Sequence, residues 1–218
     1  MSRLLCATDA DVIGLQEVTP PFLAVLRQST WAQDYAWSTQ HDEAVSPYGN
    51  LLLSRLPVVG FERTPLWSYQ GRHLNVVTLQ GGLCIATVHL ESRRASAEIR
   101  ETQLSEIFKR LQGQTRVLMG DFNFDPAANE QALIPAEYGD VWAKLWPLAD
   151  GFTVDTDVNE MAAADKQKSK AVRFDRILLS SDTHNAVSIT RLGVAPFNEG
   201  IWPSDHFGLA ATIQRTRG

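Results

Sequence analysis

The sequence predicts an α/β fold, and three observations carry that expectation. Apolar runs of strand length recur along the chain, an amphipathic helical stretch lies between two of them, and four runs lead into polar clusters. Those clusters are Gln16-Glu17, His89-Leu90-Glu91-Ser92, Asp121-Phe122-Asn123 and Ser204-Asp205-His206. Four of this kind describe a catalytic cleft at strand ends.

Residues 11–15 form a buried-strand pattern that delivers Gln16 and Glu17, and Pro20-Pro21 then opens a short helix carrying Phe22, Leu23, Val25 and Leu26. Taken alone, Glu17 reads as a solvated rim residue, and the other clusters give it weight. Residues 48–54 pass through Arg55-Leu56-Pro57 into Val58-Val59, two strands about a turn, with Asn50 readable as a turn residue. Residues 74–79 and 83–88 flank Gln80-Gly81-Gly82 and predict a β-hairpin whose second strand ends at His89.

Across residues 95–111, Ile99, Leu104, Ile107, Phe108 and Leu111 share one helical face, and Gln112-Gly113-Gln114 stops the helix. Arg93, Arg94 and Arg100 near its start either raise the potential beside His89 or form an ordinary solvated face. Val117-Leu118-Met119 begins a buried strand that ends in a loop closed by Pro126. Side chains two apart on extended backbone project to the same side, so Asp121 and Asn123 pair a proton acceptor with a hydrogen-bond donor to a small anionic group.

Residues 172–179 are strand-like but contain Asp175, and an acid so placed needs a partner. His206 is one candidate, because a carboxylate that receives one imidazole nitrogen orients the ring and raises its pKa; a salt bridge to Arg173 or Arg176 is the other. Asp205 and His206 stand just before a final strand at 209–213.

With 218 residues, 44% apolar and 21% charged, the chain is long enough for one sizeable core, and a single domain over residues 1–218 is expected. A net charge of -5 and a pI near 5.5 argue against a broad basic surface for wrapping long nucleic acid, while local basic patches stay open. Cys6 and Cys84 lie in apolar surroundings without metal-ligand spacing and read as reduced core residues. The first residues carry too short an apolar run for a signal peptide and no stretch reaches the length of a membrane span, so a cytoplasmic location is expected. The polar, alanine-rich residues 157–170 read as a long loop. Oligomeric state is not legible in this pattern.

Neither a Walker-type phosphate loop, nor a nucleophile elbow, nor zinc spacing occurs. What remains is rich in oxygen donors and suits a hard cation, Mg²⁺ or Mn²⁺, held by one or two carboxylates together with a substrate phosphate. Hydrolysis at phosphorus follows. Glu17 would hold the metal, and Asp205 is the candidate to help bind a second. Asp121 would take the proton of the attacking water, with Asn123 orienting that water or contacting the phosphate. His206, kept charged by Asp175, and His89 would stabilise the pentacoordinate phosphorus from the opposite side.

The ordered set Leu15-Gln16-Glu17-Val18, His89-Leu90-Glu91-Ser92, Gly120-Asp121-Phe122-Asn123, Arg173-Phe174-Asp175-Arg176 and Ser204-Asp205-His206 resembles the endonuclease/exonuclease/phosphatase superfamily. Five motifs in order are far more specific than any one. Within that superfamily the run from His89 through Arg94, the Arg173 segment and residues 203–208 look most like the 5′-tyrosyl-DNA phosphodiesterases. The resemblance implies a four-layer sandwich, two mixed β-sheets packed face to face with helices outside. It implies Mg²⁺-dependent cleavage of phosphodiesters, nucleic acid among the substrates, or of phosphomonoesters in some branches. Glu17 is then the metal ligand, Asp121 and Asn123 act on the nucleophilic water, His206 stabilises the transition state, and His89 with Ser92 contacts the phosphate. Arg72 corresponds to a substrate-contacting arginine, and Asn50 joins Ser92 and Arg72 as a substrate-binding candidate. A lipid or inositol-phosphate phosphatase and a catalytically weakened binding protein are the alternative functions.

Two departures stand out. The family's first strand ends in a Thr-Trp-Asn motif that supports the metal site, and this motif is missing here. Open sheet edges on both neighbours and a reduced metal affinity are therefore expected. Val154, in residues 151–155, stands where the tyrosyl phosphodiesterases tend to place a tryptophan before the aspartate.

Overall fold

Residues 1–164, 170–198 and 200–216 are described in the structure, a computed structural model. In chain order the elements are α1 (Ser2–Thr8), β1 (Val12–Val18), α2 (Pro20–Gln28), β2 (Ala36–Trp37), β3 (Gly49–Ser54), β4 (Val58–Pro65), β5 (His73–Leu79) and β6 (Leu83–His89). There follow α3 (Ala97–Arg110), β7 (Thr115–Asp121), β8 (Gly139–Asp140), α4 (Val141–Leu145), β9 (Val154–Asp155), α5 (Glu160–Ala163), β10 (Ala171–Val172), β11 (Asp175–Ser181), β12 (His184–Leu192) and β13 (Gly208–Arg215).

Period-two alternation sorts the apolar side chains of the central strands into two cores. Leu74 and Val76 of β5 and Cys84, Ala86 and Val88 of β6 join Leu104 and Ile107 of α3 in one core. Val77, Leu79 and Ile85 point the other way, into a core shared with Leu52 of β3 and Ala186 and Ile189 of β12. The first sheet, ordered β4-β5-β6-β7-β11-β8, therefore lies between α3 and a second β layer made of β1-β3-β2 and β12-β13. Outside that layer, Leu5 of α1 and Leu23 and Leu26 of α2 pack against Ile13, Leu51 and Leu53. This is the expected four-layer sandwich.

β6 and β7 run parallel, and α3 is the crossover such a pair requires; β7 and β11 are antiparallel. Fully burying Leu104 and Ile107 contributes about 1.5–3 kcal/mol each to holding α3 on the sheet. The registers decide where the chemistry sits. His89 pairs with Asp121 across β6 and β7, and Asp121 pairs with Asp175 across β7 and β11, so three polar residues reach one level at the same edge of three adjacent strands. Gly120 makes this possible. Its φ is +134°, and a Cβ there would lie 2.0 Å from the Val88 carbonyl oxygen.

Some expectations are corrected. The strand expected at 172–179 is split into β10 and β11 by Arg173 and Phe174, and β12 and α1 are additional elements. Cys84 is buried as expected, but Cys6 is exposed on α1, which turns only Leu5 fully inward. Residues 157–170 include the short α5, capped by the Asn159 side chain, while 165–169 lie outside the described residues. Among the described residues β1 pairs only with β3 and β13 only with β12, so each keeps one ladder edge without a strand neighbour. No helix among them is long and apolar enough to cross a membrane.

Candidate active site

A cleft of about 1220 Å³ opens where β6 and β7 end and β11 begins. Glu17, His89, Ser92, Asp121, Asn123, Asp175, Asp205 and His206 all line it. Of the candidates, only Asn50 and Arg72 do not line it.

The choice of partner for Asp175 falls to His206, whose Nδ1 lies 2.9 Å from Asp175 Oδ2 with both side chains mostly buried. Both arginines are committed elsewhere. Arg173 pairs with Asp140 at 2.5 Å, and the buried Arg176 donates to Gln131 and to the Phe124 carbonyl while lying over the Phe124 ring. A carboxylate accepting from Nδ1–H turns the other ring nitrogen, Nε2, away from Asp175, and once the ring is protonated Nε2 donates as well.

His89 differs from His206 in kind. Arg72 Nη1 lies 2.8 Å from His89 Nδ1, and a guanidinium can only donate, so Nδ1 accepts and the proton sits on Nε2, 3.3 Å from Asp121 Oδ2. Burial pushes the His89 pKa from 6.5 to about 4; Asp121 opposes that shift, while Arg72 and His206 reinforce it. The 4.0 Å approach of Glu17 to His89 is therefore not an ion pair near neutral pH. The charge at this wall belongs to Arg72, which also donates to Ser92 Oγ and Gln70 Oε1.

Asp121 is fixed from two sides, by His89 and by the Asn123 backbone N–H on Oδ1 at 2.7 Å. Asn123 holds a left-handed φ of 54°, and its Nδ2 donates one proton to the Leu90 carbonyl. Its Oδ1 can orient a water, and the second Nδ2 proton remains available as a donor. Glu17 also sits at a positive φ, 54°, where β1 breaks register with β3. Among the described residues no donor bonds its carboxylate, whose side chain is 65% exposed toward the cleft. An acid held at strained backbone with its oxygens unspent fits a hard cation. Asp205 faces the same space. The ligand atoms of Asp121, Asp175 and His206 also lie within 4.8 Å of one another, although the Asp175–His206 hydrogen bond already occupies one atom of each.

The sequence pattern of the Endonuclease/Exonuclease/phosphatase family matches residues 2–206. The chain belongs to that family. Human Tyrosyl-DNA phosphodiesterase 2 is 32% identical over 222 residues, covering 93% of this chain and 59% of that protein. The Xenopus laevis protein of the same name is 30% identical over 95% of this chain and 60% of its own. The chain thus spans about three-fifths of the length of these relatives. Among solved structures, D. rerio TDP2 complexed with single strand DNA product is 25% identical with a TM-score of 0.79, covering 98% of this chain and 89% of that one. The human Nocturnin catalytic domain with bound sulfate, at 19% identity and a TM-score of 0.69 over 99% of this chain and 86% of that one, shares the fold.

In this endonuclease/exonuclease/phosphatase member two further residues sit differently from expectation. Arg100 is neither solvated nor aimed at His89: it is buried, pairs with Glu130 at 2.6 Å and donates to the Glu91 and Arg93 carbonyls. Asn50 is buried too, its Nδ2 bonded to the His73 carbonyl, so its amide ties β3 to β5 outside the cleft lining. Val154 is fully buried in a small cluster with Ala162 and Val172. Gln70 went unnoticed in the sequence. It accepts from Arg72 and from the Ser92 backbone, aligning both, and no local signal marks it.

Proposed function

We propose that this chain, as one domain, hydrolyses a phosphodiester in DNA, with a 5′-phosphotyrosyl end as its substrate. The observation that carries the reading is the register that brings His89, Asp121 and Asp175 to one strand edge, with His206 on Asp175 and Arg72 on His89. The likeness to a relative solved with a DNA product supports the substrate class.

Glu17, with Asp205 facing the same cleft, offers the oxygen donors that Mg²⁺ or Mn²⁺ takes, and such an ion, when bound, neutralises charge on the phosphoryl oxygens. Asp121 accepts the proton of the attacking water, which Asn123 Oδ1 orients. Ser92 Oγ, which accepts from Arg72 and keeps its own proton to donate, binds the phosphate on one wall, while neutral His89 holds Asp121 in place. His206, its ring fixed by Asp175, donates to the phosphoryl oxygens as charge grows in the transition state.

The test is the bond broken. A 5′-phosphotyrosyl oligonucleotide should yield free tyrosine and a 5′-phosphorylated strand. Inorganic phosphate from monoesters, with the phosphotyrosyl strand intact, would replace this reading with a phosphatase.

A further inference from the structure

β10 ends at Val172 and β11 begins at Asp175, so the backbone between them leaves the ladder just before the dyad. The N–H groups of Phe174 and Asp175 lose their strand partners there. One side-chain oxygen takes both: Thr153 Oγ1 accepts from Phe174 N at 3.1 Å and from Asp175 N at 3.0 Å. The backbone of the same residue spans the rest of the site. Its N–H donates to the Val172 carbonyl at 3.0 Å, and its carbonyl accepts from Phe207 N at 2.7 Å. Thr153 is fully buried and does not line the cleft.

We propose that Thr153 is the positioning residue that sets Asp175 against His206, acting through its hydroxyl oxygen on one segment and its carbonyl on the other. The inference rests on the function proposed above. Neighbouring contacts stiffen the same joint: Arg191 donates to the Phe152 carbonyl at 2.9 Å and lies 5.5 Å over the Phe207 ring. The segment that carries Thr153, just before β9, thereby fixes both members of the dyad from behind, and an error in its placement passes directly into the 2.9 Å Asp175–His206 hydrogen bond. A threonine chosen only for packing would be replaced by valine without consequence for that bond.

Thr153→Val and Thr153→Ser separate oxygen from shape. In the full chain, Thr153→Val is expected to lower kcat roughly 10- to 100-fold with KM within about threefold, because the loss is one of placement. The downfield proton resonance of His206 Nδ1–H on Asp175 should weaken or broaden at the same time. Thr153→Ser keeps the oxygen and should retain both kcat and the resonance. A folded Thr153→Val with unchanged kcat and resonance overturns the proposal. If Thr153→Val does not fold, Thr153→Ser decides: retention supports the oxygen, and loss of kcat or resonance in a folded serine variant overturns it. The resonance is read without substrate, so it tests Thr153 even where the phosphotyrosyl substrate proves wrong.

Discussion

Acid is the perturbation that exposes His89. In the fold its imidazole is held neutral, first by burial and then by Arg72 on Nδ1, with a pKa of about 4 against an ordinary 6.5. Between those values the unfolded chain binds a proton that the folded chain refuses. Stability therefore rises with pH across the window and is lost as pH falls from 6.5 toward 4. At 1.36 kcal/mol per pKa unit, the gap is worth about 3 kcal/mol, a sizeable part of the roughly 5–15 kcal/mol that holds a typical domain together. His89→Gln keeps an acceptor and a donor at this site but does not titrate. Urea unfolding followed by tryptophan fluorescence, at intervals from pH 7 to pH 4, gives the stability of both proteins. Acids common to both cancel in the difference, so wild type should lose about 3 kcal/mol relative to the variant on acidification. A difference that stays constant with pH refutes the neutral imidazole.

Three substitutions probe the rest. Glu130→Gln leaves the buried Arg100 charge without its partner and should cost about 3–5 kcal/mol, read as a fall in Tm. Gly120→Ala drives a Cβ into the Val88 carbonyl at a φ of +134°, and should destabilise by more than about 4 kcal/mol or abolish soluble expression; a wild-type Tm would show that β6 and β7 can separate here. Asp175→Asn should lower kcat about 100-fold by removing the charged partner of His206, with little change in thermal midpoint. An equal loss of stability would make Asp175 structural.

The hairpin of β5 and β6, helix α3 and strand β7 were legible because each is encoded locally, by Gly81-Gly82, by one apolar helical face, and by a run ending in Gly120-Asp121. The second β layer was harder. β12 buries only Ala186 and Ile189 of its nine residues, too sparse an alternation to mark a strand. Polar residues were misjudged where distant partners decide their state. Arg100 meets Glu130 thirty residues on, and Asn50 meets the His73 carbonyl; neither contact is written in the neighbouring sequence. The charge of His89 was hidden in the same way, since Arg72 reaches it only through the β5–β6 pairing. His206 with Asp175 was foreseeable because an acid inside a strand demands a partner, and a histidine near the last strand could supply it.

Single-turnover release of tyrosine from a 5′-phosphotyrosyl oligonucleotide, with Mg²⁺ or with a chelator, for wild type and Asp121→Asn, tests the central claim most directly. Rapid release that needs both the metal and the Asp121 carboxylate is the expected result. Release that survives the chelator, or proceeds equally in Asp121→Asn, would contradict a metal-assisted attack of water at this cleft.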